Sequence, residues 1–280
     1  MAEPTTVRAL LLEGRHRLGG DADGAALEAE LLLLHLIDRP RSWLRGHPEA
    51  ELGPTLCAQY RTLIARRAAG EPIAYLTGQR GFWSLDLHVA PGVLIPRPET
   101  EQLVELALAR LPTDRPSRLA DLGTGSGAIA LAVASERPLC RVVATDRSEA
   151  ALAIARRNAA QLGLERVDFY QGHWCEPLNG HFDLIVSNPP YIRTDDPHLD
   201  QGDLRHEPRD ALASGADGLD AIRTLLACTP RHLLPGGWLL LEHGYDQGPA
   251  LRRLLEQHGF AEITTWRDLA GHERISGGVV

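Results

Sequence analysis

At 280 residues the chain can bury a substantial core and form one large or two moderate domains. Its formal net charge is −8, with all positive charge on Arg, which argues against a protein that wraps a nucleic-acid phosphate backbone. No N-terminal stretch has the order of a signal peptide, and the longest apolar run, LLLLHLI at 31–37, is far too short to span a bilayer, so a cytoplasmic protein is expected.

Residues 1–78 are rich in Leu, Ala, Arg and Glu. Leu27, Leu31 and Leu34 recur at helical spacing, and GPTLCAQYRTLIARRAAGEP at 53–72 reads as an amphipathic helix ending near Gly70. A small helical domain is predicted, without a catalytic cluster. In GFWSLDLHVAPGVLIP at 81–96, alternating apolar residues flank Pro91-Gly92, which predicts a β-hairpin linker over residues 79–98 with its turn at that pair.

The third region, 99–280, changes texture near residue 117. RLADLG, RVVATD, VDFYQG, FDLIVS and GGWLLLEHG read as short buried strands. AIALAVASE, EAALAIARRNAAQLG and GPALRRLLEQHG read as helices, the second capped by Ser148 and ended by Gly163. The alternation predicts an α/β fold, a doubly wound and mostly parallel sheet covered on both faces. Cys57, Cys140, Cys175 and Cys228 form no C-x-x-C pair and read as isolated thiols, neither a disulfide frame nor a zinc site. His198, His206 and His232 lack ligand-like spacing, so no metal is expected.

Open α/β sheets bind ligands at the carboxyl ends of their strands. The first strand ends in Asp121-Leu122-Gly123-Thr124-Gly125-Ser126-Gly127, where glycines admit a ligand to the backbone, and Asp146 ends the second strand where an acid can chelate ribose hydroxyls. Gly123, Gly125 and Ala128 also satisfy the glycine pattern of nicotinamide enzymes. A carboxylate at Asp121 repels a pyrophosphate and suits a ligand with an ammonium and a sulfonium, S-adenosylmethionine. Trp174, after the third strand, is a candidate adenine contact.

The strand Phe182–Ser187 runs into Asn188-Pro189-Pro190-Tyr191, and prolines cannot continue a ladder. An amine or amide on an sp² carbon is a poor nucleophile, because its lone pair is delocalised. The Asn188 side-chain oxygen can accept one of its N–H groups, the Pro189 carbonyl the other, with Pro190 fixing the backbone and Tyr191 offering a flat face. Such a grip aims the nitrogen at a methyl donor and stabilises the charge that develops.

These stretches resemble the release-factor glutamine methyltransferase family. The likeness runs from about residue 70 to the C-terminus, through EPIAYLTG (71–78), VLIPRPETE (93–101), DLGTGSGAIA (121–130), SNPPYI (187–192), PHLDQGDLRHEP (197–208), SGADGLDAIR (214–223) and LLLEHG (239–244). It implies a Rossmann-like seven-stranded methyltransferase sheet, with the helical domain docking substrate. It implies methyl transfer from S-adenosylmethionine, leaving S-adenosylhomocysteine, to the loop glutamine of class-1 peptide-chain release factors. It also implies cofactor contacts from Gly123, Thr124, Gly125, Ser126, Gly127, Asp146, Trp174 and Asn188, and substrate contacts from Arg97, Glu99 and Glu207. The other reading of Arg97 is a structural pair with a neighbouring acid.

His173 departs from the pattern, standing where the family commonly has an acid. The charged segment 195–220 reads as a lid or a release-factor contact. An N6-adenine methyltransferase on DNA or RNA is the nearest alternative, but duplex DNA requires base flipping and a basic target-reading region. A nicotinamide oxidoreductase leaves the Asn-Pro-Pro-Tyr corner unexplained, and a non-catalytic docking module has no need to orient an amine. A monomer is expected.

Overall fold

The computed structural model describes residues 5–280, which divide into two compact units, one ending at Gly78 and the other Gln79–Val280. In the first, β1 (Thr5–Thr6) pairs antiparallel with β2 (Glu51–Leu52) beside five helices: α1 (Val7–Leu18), α2 (Ala22–Ile37), α3 (Arg41–Gly46), α4 (Pro54–Ala68) and α5 (Ile73–Thr77). Side-chain oxygens of Thr6 and Asp21 cap α1 and α2 by accepting from Ala9 and Gly24, and Pro54 sits where a helix needs no N–H. The α2 helix forms as its periodicity predicts, but on a different face. Leu27 and Leu31 are exposed, whereas Ala25, Ala29, Leu32 and Leu33 are buried with Val7, Leu10, Tyr60 and Ile64. The helix carries apolar residues nearly all round, so spacing alone does not choose its inner side.

The second unit opens with a hairpin of β3 (Gln79–Phe82) and β4 (Leu85–His88). Its turn is Trp83-Ser84, not Pro91-Gly92 as expected. Trp83 adopts a left-handed φ of 56°, which a tight hairpin turn needs and which residue type rarely announces. Pro91-Gly92 instead makes a separate turn after β4, with Val93 N–H donating to the Ala90 carbonyl at 3.3 Å.

After α6 (Glu101–Arg110), strand and helix alternate through β5 (Ser117–Leu122), α7 (Ala128–Glu136), β6 (Cys140–Asp146), α8 (Glu149–Leu162), β7 (Asp168–Gln171) and β8 (Phe182–Ser187). Then come α9 (Asp220–Cys228), β9 (Leu233–Glu242), α10 (Gly248–Gln257), β10 (Ala261–Arg267) and β11 (Glu273–Val279). The sheet is seven-stranded, in the order β10-β11-β9-β8-β5-β6-β7. The five strands from β9 to β7 are parallel, and β11 and β10 add as antiparallel neighbours. Ser148 Oγ accepts from Ala151 N–H at 3.2 Å, and Gly163 ends α8 in the left-handed region, as expected.

Strand period two sends Leu119, Val142 and Leu184 to one face and Ala120, Val143 and Ile185 to the other. The first set packs against α6 and α7, the second against α9 and α10. Each fully buried Leu or Ile contributes roughly 1.5–3 kcal/mol relative to exposure. Among the described residues no helix is long and apolar enough to cross a membrane.

The cysteines correct the expectation of four isolated thiols. Cys175 and Cys228 are joined as a disulfide, while Cys57 and Cys140 are free and buried. Cys175 follows β7 and Cys228 ends α9, 53 residues later. The winding lays both on one face of the sheet with Cα atoms 6.1 Å apart, within disulfide reach.

Candidate active site

The chain order reverses between β5 and β8, the switch point at which such sheets bind ligands. Asp121 pairs with Val186 across that line, so the turns leaving β5 and β8 emerge side by side. Between them lies a cleft of about 480 Å³.

One wall is the glycine loop. Gly123 and Thr124 N–H groups donate to the Thr145 carbonyl at 2.8 and 2.9 Å, binding the loop to β6. Asp146 Oδ2 accepts from Gly125 N–H and its Oδ1 from Ser148 N–H, both at 2.9 Å, which fixes the carboxylate at the cleft edge. Gly123 sits at φ 76°, and a Cβ there would lie 3.0 Å from the Trp174 ring. Trp174 itself is left-handed, φ 51°, at a cost of about 1–2 kcal/mol for such a residue. Its carbonyl accepts from Thr145 Oγ1 at 3.0 Å, which helps hold it there. His173 lines the same wall, edge-on to Trp174 with ring centroids 5.7 Å apart.

Asp121 is buried beneath the loop and does not line the cleft. Its Oδ2 accepts from Thr124 Oγ1 at 2.6 Å and Ala130 N–H at 3.2 Å, while Oδ1 has no partner. Burial pushes this carboxyl up to about 7, against the pull of those two donors.

The opposite wall holds Asn188 and Pro190, with Pro189 buried behind them. Asn188 Nδ2 donates to Thr100 Oγ1 at 3.1 Å, leaving Oδ1 as the acceptor for the cleft. Tyr191 does not line the cleft; its hydroxyl donates to Glu242 Oε1 at 3.3 Å, and burial raises its pKa. The Tyr191 carbonyl accepts from Gln247 Nε2 at 2.9 Å. Ile192 and Thr194 N–H groups then donate to the Leu212 and Gly215 carbonyls.

The segment 195–220 is a string of 3₁₀ turns, Pro197–Asp200, Leu204–His206 and Arg209–Ala211, and Pro208, Asp210 and Ala211 reach the cleft rim. Arg97 lines the cleft and donates through Nη2 to Glu207 Oε1 at 2.6 Å. Glu207 is buried, and burial raises its pKa against the Arg97 charge. Glu99 is exposed and Gly127 starts α7; neither lines the cleft.

Sequence reasoning missed Asn158 and Gln247. Asn158 is fully buried on α8; its Oδ1 accepts from His88 N–H at 2.7 Å, and its Nδ2 donates to the carbonyls of His88 and Ser126 at 3.0 and 2.9 Å. It thereby clips the hairpin to the glycine loop. A polar residue on the same helical face as Leu152 and Ala155 was the available signal. Among the described residues no cluster of His, Cys, Asp and Glu is arranged to hold a metal ion.

Parallel strands delivering a glycine loop and an Asn-Pro-Pro-Tyr turn to one cleft define a Rossmann-like methyltransferase. The sequence profile of the methyltransferase small domain matches residues 89–204, and that of the PrmC N-terminal domain matches 9–78. The chain belongs to the release factor glutamine methyltransferase family, as its motifs suggested. The release factor glutamine methyltransferase of Xylella fastidiosa strain Temecula1 is 56% identical over 253 residues, covering 90% of this chain and 92% of that one. The Pseudomonas aeruginosa relative is 56% identical over 259 residues, 92% of this chain and 94% of that one. A solved 16S rRNA N2 G1207 methyltransferase from T. thermophilus, in complex with AdoMet and guanosine, shares the fold. It has a TM-score of 0.54 and 21% identity, covering 72% of this chain and 49% of that one.

Proposed function

We propose that this chain transfers a methyl group from S-adenosylmethionine to the side-chain amide nitrogen of the glutamine in the Gly-Gly-Gln loop of class-1 release factors. The observation that carries this reading is the Asn188 amide, with Oδ1 unclaimed, facing the glycine loop across one cleft.

The residues present fit the cofactor. Asp146 is oriented to accept from ribose hydroxyls, and Trp174 presents a ring against Gly123 where a nucleoside base can lie. Asp121, buried beneath the loop with Oδ1 lacking a donor, becomes a negative charge there when an ammonium group is bound above it. S-adenosylmethionine, when bound, supplies a methyl group on an electrophilic sulfonium.

The chain's own work is orientation. Asn188 Oδ1 and the Pro189 carbonyl accept the two N–H groups of the target amide, which fixes the plane of its nitrogen. Tyr191 stands outside the cleft and holds the corner from behind, its hydroxyl anchored on Glu242 and its carbonyl accepting from Gln247. The same acceptors stabilise the positive charge that grows on nitrogen. An N-methylated amide cation is strongly acidic, so it sheds its proton to solvent without a dedicated base. Arg97, locked to Glu207 at the cleft, is a contact for the loop backbone on either side of the glutamine.

The direct test is incubation with methyl-labelled cofactor and a class-1 release factor. The expected product carries one added methyl group on the loop glutamine, seen by peptide mass spectrometry. Label on a Gln→Ala release factor, or on duplex DNA offered instead, would reassign the substrate.

A second expectation follows from Asp121. Its carboxyl, near 7 without ligand, is ionised by a cationic partner, so binding releases a proton. Cofactor affinity therefore rises as pH increases from 6 toward 8, until the ligand's own α-ammonium begins to lose its proton. Calorimetry in buffers of different ionisation enthalpy reads that proton directly, and Asp121→Asn should bind weakly with no such slope.

A further inference from the structure

Glu242 ends β9 and is 1% exposed. Both polar side chains of the methyl-acceptor corner lead to it. Tyr191 reaches it directly, hydroxyl to Oε1 at 3.3 Å. Asn188 reaches it through Thr100, whose buried hydroxyl accepts from Asn188 Nδ2 and draws the Glu242 pKa down. Glu242 Oε2 has no hydrogen-bond partner. A buried carboxylate oxygen left so is costly, and the mobile hydroxyl proton of Thr100 is the donor at hand.

We propose that Glu242 is a positioning residue that sets the donor–acceptor direction of the Asn188 amide. This role rests on the amide grip proposed above and deepens it. A hydroxyl has one proton to give. While Glu242 is a carboxylate it can only accept, so Thr100 donates to it and must itself accept from Asn188. Only the Nδ2 end of the Asn188 amide can then face Thr100, and Oδ1 is presented to the cleft as an acceptor. With Glu242 neutral, its own proton can point to Thr100, whose proton turns to Asn188. The amide is then free to rotate end for end and offer the cleft a donor, which cannot grip an N–H.

Burial raises the Glu242 carboxyl to about 7, opposed by the Thr100 and Tyr191 hydroxyls and by Arg274, and reinforced by Glu99. Arg274 on β11 is held by Asp268, Nε to Oδ2 at 2.9 Å. The neighbouring His243 turns away, with Nε2 2.9 Å from Ser276 Oγ and Nδ1 2.8 Å from the Gly244 carbonyl. Burial lowers its pKa, and with both ring nitrogens engaged it does not compete for Glu242. Turnover is therefore expected to rise with pH through about 7, as the carboxyl ionises.

The test is the pH profile of kcat for wild type, Glu242→Gln, Thr100→Val and Thr100→Ser, with the release factor as substrate. Glu242→Gln keeps the shape but can donate. It should lower kcat by about thirtyfold and abolish the acidic limb, with KM and cofactor affinity within about twofold of wild type. Thr100→Val should behave alike, and Thr100→Ser should restore both rate and limb. Wild-type kcat with an unchanged limb in Glu242→Gln overturns the inference. Should Glu242→Gln fail to fold, an unchanged limb in Thr100→Val overturns it equally. An inactive Asn188→Ala alongside fully active Thr100→Val and Glu242→Gln removes this inference alone. An active Asn188→Ala removes the amide-grip reading itself.

Discussion

Replacing Asn188 by Ala should lower kcat by about a hundred- to a thousandfold, while cofactor affinity changes by no more than about threefold. Removing one preorganised hydrogen-bonding group from a charge-developing centre has an effect of that size. Here the lost group is an acceptor for an N–H that becomes more acidic as the nitrogen is alkylated, so its contribution grows toward the transition state. The cofactor side should be spared, because the glycine loop is held by Thr145 and Asp146 and owes nothing to Asn188. Single-turnover kinetics with calorimetric titration of the cofactor separates the two. Near wild-type turnover in the variant would refute the grip.

Gly218→Ala should damage stability and turnover together. Gly218 sits at φ 76°, and a Cβ there would fall 2.2 Å from the Tyr191 carbonyl oxygen and 2.7 Å from Gln247 Nε2. The left-handed backbone alone costs alanine about 1–2 kcal/mol. Relieving the clash means moving the Tyr191 backbone or breaking its bond from Gln247, for a total on the order of 3 kcal/mol. A displacement of about 1 Å at Tyr191 is enough to lower kcat about a hundredfold. Gly259→Ala is the control. Its φ is 81°, yet nothing lies within 4 Å of an added Cβ, so it should lose stability without losing turnover. Chemical denaturation and steady-state kinetics on both variants check this, and equal kcat losses would contradict it.

The parts of the fold written in local pattern were legible. The strands from Ser117 to Glu242 and the caps at Ser148 and Gly163 follow from apolar runs and side-chain chemistry within a few residues. What the sequence hid depends on contacts made at long range. The pairing of Cys175 with Cys228 needs the winding of the sheet, and the inner face of α2 needs its neighbours. The hairpin turn at Trp83 depends on a backbone conformation that tryptophan rarely takes.

The site divides the same way. Asn188, the glycine loop and Asp146 announce themselves because their chemistry sits in one contiguous stretch each. Arg97 and Glu207 were each legible as site residues, but their pairing across 110 residues was not, nor was that of Asn158 with His88, 70 apart. Their purpose appears only once the chain has folded them together. Glu242 is the extreme case, since LLLEHG reads as the end of a strand and nothing in it points to Thr100 or Tyr191.

The crossing of residues 192–194 with 212–215 fastens both ends of the excursion beyond the Asn-Pro-Pro-Tyr corner. With its ends fixed there, lengthening the stretch between them is inexpensive, since doubling a flexible loop adds only about 0.6 kcal/mol of closure entropy. Changes of length are therefore tolerable before Glu207, whereas Glu207 to Ala211 stay tied to Arg97 and the cleft rim. The Asn-Pro-Pro-Tyr corner keeps its exit direction through the Ile192 N–H and the Leu212 carbonyl, whatever the length in between.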